Sequence, residues 1–157
     1  MSRSFTSIAT LTEVIARTLE SYQIDSKAVF ESMDLPPEPF KNPDARIGKE
    51  VMVELWRETE RLTGNPCIGF EAGLNFHATN IHAVGYAWLA RSTLREALER
   101  LVRYQRLIST AAEMDLMEDS HGVHLQIDPS PGIDLGDDAS FTAVITMCRD
   151  LTHPEFR

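Results

Sequence analysis

At Ala112 the hydrophobic period of this chain switches from 3.6 to 2, and that switch decides the class of fold open to it. Upstream, Leu94, Leu98, Leu101, Val102 and Ile108 fall on one face of a helix. Downstream, Ala112, Met114 and Leu116 alternate with Glu113 and Asp115, and Val123, Leu125 and Ile127 alternate with His124 and Gln126. Asp119-Ser120-His121-Gly122 supplies turn residues between the two runs, so the pattern predicts a β-hairpin with one apolar face.

The same periodicity places helices before the switch. Leu11, Val14, Ile15, Leu19 and Tyr22 share a face, with Thr10 as the expected N-cap, and Asp25 caps a second helix carrying Ala28, Val29 and Met33. Leu35-Pro36-Pro37-Glu38-Pro39 reads as loop, continuing through Asn42-Pro43-Asp44. A third helix starts near Gly48, buries Met52, Leu55, Trp56 and Leu62, and stops at Gly64. Asn65-Pro66 is expected to open a short helix with Asn as cap and Pro at its first position. The nearly unbroken apolar run from Ile81 to Ala90 predicts a helix buried on most sides. Thr93 and Glu96 form a capping box for the next helix, supported on its outer face by Glu96 with Arg100 and Glu99 with Arg103. After the hairpin, a last helix beginning past Asp137 or Asp138 buries Phe141, Val144, Ile145, Cys148 and Leu151 and ends at His153-Pro154. The expected fold is α+β, mostly helical, with a hairpin packed against the helices as an incomplete antiparallel sheet.

A chain of 157 residues with 43% hydrophobic side chains suits a single domain with a real core. Its formal net charge of -9 opposes direct binding to a phosphate backbone. No apolar run is long enough to span a bilayer, and Met1 to Ser7 lacks the apolar block of a secretory signal. Cys67 and Cys148 lack a CxxC spacing and read as two buried thiols in different helices, which fits a reducing cytoplasm. A lone two-stranded hairpin is marginal, so either the helices alone cover it, or a third strand comes from another chain, or the chain has been cut short after Arg157, and the last is the expectation.

The segments LWRETERLTGNPCIGFEAG and GYAWLARSTLREALERLVRYQRLIS narrow the reading further. In them Leu55-Trp56, Thr63-Gly64-Asn65-Pro66, Ile68-Gly69-Phe70, Gly85-Tyr86, Ser92-Thr93-Leu94 with Ala97-Leu98, and Arg103-Tyr104 follow one another at set distances. No dipeptide there is specific; the order and spacing are. Nearly the whole chain resembles the N-terminal effector-sensing domain of AraC-type bacterial transcription regulators, in the subgroup labelled arabinose-binding-like. The resemblance implies a sensor that dimerises and controls a C-terminal pair of DNA-reading helix-turn-helix motifs. It also implies further strands after the last helix. Neither has a counterpart here, so the chain is expected to be a regulator's sensor truncated at its C-terminus, touching DNA only through the absent domain. The resemblance names no ligand: members answer to amino acids, lipids or catabolic intermediates.

On that reading a small effector binds between the helical layer and the hairpin. Trp56, Tyr86 and Trp88 are candidate aromatic walls, although Tyr86 and Trp88, two apart on a helix, project differently. His77, Asn80 and His82 interrupt an apolar stretch and are candidate polar contacts. Arg103, with Arg100 and Arg106 in a stripe and Tyr104 beside it, is a candidate anion contact; the rival reading is a solvated helix face. The five histidines have no zinc spacing, so neither metal nor cofactor is expected. No G-x-S-x-G, Walker or dinucleotide glycine motif occurs, and no base and nucleophile are paired by spacing, so catalysis is not expected. The alternative function is a ligand-free dimerisation module.

Overall fold

The computed structural model describes residues 5–128, 132 and 134–152. Over these residues it is an α+β domain with two antiparallel strand pairs held among seven α-helices. The expected helical stop at His153-Pro154 lies outside the described residues.

Strand β1 (Thr6–Ile8) runs into a 3-10 turn (Ala9–Leu11) and helix α1 (Thr12–Ser21), and α2 (Ser26–Ser32) follows. Asp25 caps α2 as expected, its carboxylate accepting from the N–H groups of Lys27 and Ala28. Thr10 is not the cap of α1. It is buried in the 3-10 turn, and its hydroxyl donates to the Asn80 carbonyl at 2.8 Å. Strand β2 (Arg46–Gly48) pairs antiparallel with β1, joining Thr6 to Gly48 and Ile8 to Arg46. This pair was not legible in the sequence, because three residues are too few to show an alternating period. Arg46 fixes it, donating to the Thr6 hydroxyl and carbonyl and to the Leu107 carbonyl.

Helix α3 (Lys49–Thr63) begins and ends where its signals place it, with Gly64 in the left-handed conformation at φ 65°. Helix α4 (Ile68–Leu74) starts later than Asn65-Pro66 suggests. The Asn65 side chain accepts from the Cys67 N–H, making a turn before the helix rather than capping it. Cys67 is therefore exposed, contrary to its expected burial, while Cys148 is buried and its thiol is pushed up to about 11 by desolvation. In the native protein Cys67 should react with a thiol reagent at once and Cys148 only on unfolding. Two equivalents titrating rapidly without denaturant would contradict this packing.

A 3-10 turn (Ala78–Ile81) leads into α5 (His82–Leu89). Only Val84, Gly85 and Trp88 of α5 are buried; Tyr86 and Leu89 are largely exposed, so the helix buries one face rather than most sides. Its apolar composition misled because alanines are tolerated in solvent. Helix α6 (Leu94–Ile108) carries the Thr93 cap, but Glu96 reaches back to the Ser92 N–H, which makes only half of the expected box. Its arginines reach across rather than along the helix: Arg95 pairs with Glu118 and Arg106 with Glu113. The intrahelical pairs of Glu96 with Arg100 and Glu99 with Arg103 do not close.

The hairpin forms as expected, with its apolar face shorter than predicted. Strands β3 (Glu113–Asp119) and β4 (Gly122–Asp128) pair in register around Ser120-His121, and Met114, Leu125 and Ile127 pack against the core, whereas Ala112 precedes the strand and Val123, beside the turn, is exposed. The long helix α7 (Asp134–Leu151) begins before Asp137 and packs along α4. Gly69 and Gly73 make that approach possible, because a methyl group at either would fall against the α7 backbone at Leu135 or Ala139. The core lies between the helices, α2 included, and is centred on Ile15, Leu19, Phe30, Leu55, Trp88 and Leu101.

Candidate functional site

Where the helical layer meets the start of β3, the side chains leave a cavity of about 130 Å³. Val14 and Ile15 of α1, Met52 and Trp56 of α3, Leu101 of α6 and Met147 of α7 supply its apolar walls. The i,i+4 pair Ala139 and Ala143 on α7 opens the space, because larger side chains there would close it. Ser7, Gln105, Ser109, Asp137 and Ser140 bring polar groups to its edge.

Gln105 links the helices to the hairpin here. Its Nε2 donates to the Met114 carbonyl at 2.8 Å, and its Oε1 accepts from the Met114 N–H at 2.5 Å. The side chain thereby occupies both backbone groups of Met114, as a neighbouring strand would. A second junction lies beside it, where Ser7 of β1 donates to the Ser109 hydroxyl and bridges to Ser109 along the backbone. Ser7, Gln105, Ser109 and Met114 of the cavity wall thus also help to hold α6, β1 and β3 together.

The residues marked out by sequence fall elsewhere, with one exception. Trp56 lines the cavity. Asn80 is buried and its amide is spent within the chain: Oδ1 accepts from the His77 N–H and Nδ2 donates to Glu13. His77 itself is exposed. Tyr86 projects into solvent and Trp88 is fully buried, with its indole N–H lacking a protein partner. Arg103 is exposed on α6, and Tyr104 is half-buried against the core. His82 follows the cavity residue Ile81 in the chain but does not line the cavity itself. Its φ of 45° and ψ of −123° lie in a region that costs a side-chain-bearing residue about 1–3 kcal/mol, and its Nε2 is buried without a partner.

Sequence reasoning missed Gln105, Ser109 and the alanines of α7. A signal for Gln105 was present: it is a polar residue inside the apolar face formed by Leu101, Val102 and Ile108. The alanine pair carries no chemistry and becomes meaningful only when α7 is placed.

A second hollow of about 760 Å³ runs along α3, bordered by Lys49, Glu50, Arg57, Glu58 and Arg61. It is open and its charges offset each other, Arg61 holding Glu58 at 2.6 Å, as on an ordinary solvated face. Among the described residues no cluster of His, Cys, Asp or Glu could hold a metal ion, and no helix is long and apolar enough to cross a membrane.

The arrangement is that of an α+β domain closed round a small apolar cavity whose walls also join its helices to its hairpin. Residues 24–157 match the family described as the N-terminal arabinose-binding domain of AraC transcription regulators, and the chain belongs to that family. It is 24% identical over 114 residues to the ornithine utilization regulator of Pseudomonas aeruginosa, covering 73% of this chain and 34% of the relative. It is 25% identical over 120 residues to uncharacterised HTH-type transcriptional regulators of Mycobacterium bovis and Mycobacterium tuberculosis, covering 76% of this chain and 35% of each. The chain thus spans about a third of the length of these relatives. All three relatives are named as regulators.

Proposed function

We propose that this chain is the effector-sensing domain of an AraC-type transcription regulator, with the cavity behind Gln105 as the effector site. The observation that carries this reading is the double role of the cavity wall. A molecule seated against Leu101, Gln105 and Met114 presses on the contacts that set α6 against the hairpin. A ligand shifts a conformational equilibrium only by its differential affinity for the two states, and a site built across a junction supplies that difference. The altered junction would then change how the sensor packs against a DNA-binding domain or a second sensor. A thermal-shift screen against a metabolite panel tests this. At least one compound should raise Tm in proportion to its concentration, and Ala143→Phe, which fills the cavity, should abolish the response. A panel with no stabilising compound, or one whose effect survives Ala143→Phe, would sink the assignment.

Dimerisation has its own support. The β3–β4 hairpin has no third strand among the described residues, so the outer edge of β4 stays open to pairing, while Gln105 covers that of β3 at Met114. Phe70 and Leu74 of α4 and Phe141 of α7 add exposed apolar surface. Sedimentation should show concentration-dependent association; a clean monomer at high concentration would remove dimerisation from the account.

A further inference from the structure

Resting on that reading of the cavity, we infer that its ligand is a small uncharged molecule, mostly apolar, with a single hydrogen-bonding end, on the scale of a singly substituted benzene. Size comes first. At about 130 Å³ the space approaches an engineered apolar cavity of about 150 Å³ that stays dry and takes up benzene.

Charge comes second. Among the described residues that line the cavity there is no lysine, arginine or histidine, and the charged side chain there, Asp137, is acidic. A ligand carboxylate would lose its water and face a like charge with no cation to replace it. The described lining thus offers the carboxylate of a free amino acid or a fatty acid no counter-charge.

Hydrogen-bonding capacity comes third. Gln105 is spent on Met114 and Val102, Ser140 donates to the Gly136 carbonyl, and Ser7 donates to Ser109. What Ser7, Ser109 and Ser140 retain, with the Asp137 carboxylate, serves a ligand polar group but not the several hydroxyls of a sugar, because most of the lining is apolar. Each further hydroxyl would be buried against Leu101, Met52 or Met147 without a partner. Neither the sugar in the family's description nor the ornithine in a relative's name fits this lining.

Isothermal titration of the chain with benzyl alcohol, L-arabinose and L-ornithine tests the inference, with Ala143→Trp as the blocked control. Benzyl alcohol should bind, and its affinity should fall at least tenfold in Ala143→Trp, while arabinose and ornithine give no binding. If Ala143→Trp does not fold, Ala139→Leu serves as the smaller block with the same expected direction. Binding of arabinose or ornithine that either block removes would overturn the chemical class yet leave the cavity as the effector site. Benzyl alcohol binding that neither block weakens would overturn the inference and remove the cavity from the account. No benzyl alcohol binding would overturn the inference, leaving the metabolite screen to decide the cavity's role.

Discussion

Replacing Gly85 with alanine is expected to destabilise the domain by about 3 kcal/mol or more, although alanine is the better helix former. A methyl group there would sit 1.7 Å from the Ala78 carbonyl oxygen and 2.5 Å from its carbon. Both are backbone atoms, so no rotamer change relieves the overlap. The 3-10 turn that carries Ala78 cannot drift away either. Thr10 holds the Asn80 carbonyl, and the Asn80 side chain is tied to Glu13 and to the His77 N–H. Overpacking against a pinned turn must therefore move α5 or break those bonds. In a chain of this length the loss corresponds to a fall in Tm of about 6–12 °C by thermal unfolding. Gly48→Ala is the control: the nearest atom to its new methyl is the flexible Glu50 carboxylate at 3.6 Å, and its cost should stay within about 0.5 kcal/mol. Equal effects from the two substitutions would contradict the α5 packing.

Trp88→Ala is the second large effect, expected to cost about 3–5 kcal/mol by denaturant unfolding. Trp88 is the largest fully buried side chain, in the face of α5 that also buries Val84 and Gly85. Truncating it leaves a void that the surrounding helices close only in part. Trp88→Phe should lose well under half as much. The indole N–H is buried with no protein partner, so the ring change forfeits volume but no hydrogen bond. If Phe were as costly as Ala, the indole nitrogen would have to be engaged, and the packing given for α5 would be wrong.

These two residues sit in the segment that says most about family and least about site. Its helices, the Thr93 cap, the Gly64 stop and the hairpin with its Ser120-His121 turn were all readable, because each rests on a local rule of period or capping. The β1–β2 pair was not, since its strands are three residues long and forty residues apart. Nor was the one-sided burial of α5, because composition does not say which neighbours a helix will meet. The cavity was hidden for a related reason. It is assembled from α1, α3, α6, α7 and β3, and its opening depends on alanines that are unremarkable in isolation. His77, Asn80 and His82 stood out as polar residues in an apolar stretch. The structure spends Asn80 on pinning the 3-10 turn and leaves His77 in solvent, while His82 sits in a strained backbone outside the cavity lining. Gln105 looked like one more polar residue on a long helix, yet it makes the contact that joins the two layers.

The proposed effector site is tested most directly by the methyl resonances of the methionines, recorded with and without a compound that raises Tm. Met52, Met114 and Met147 line the cavity, whereas Met33 and Met117 lie away from it. The account expects large shifts at the first three and little change at the other two. Shifts centred on Met33 or Met117, with Met52, Met114 and Met147 unmoved, would place the ligand elsewhere and contradict it.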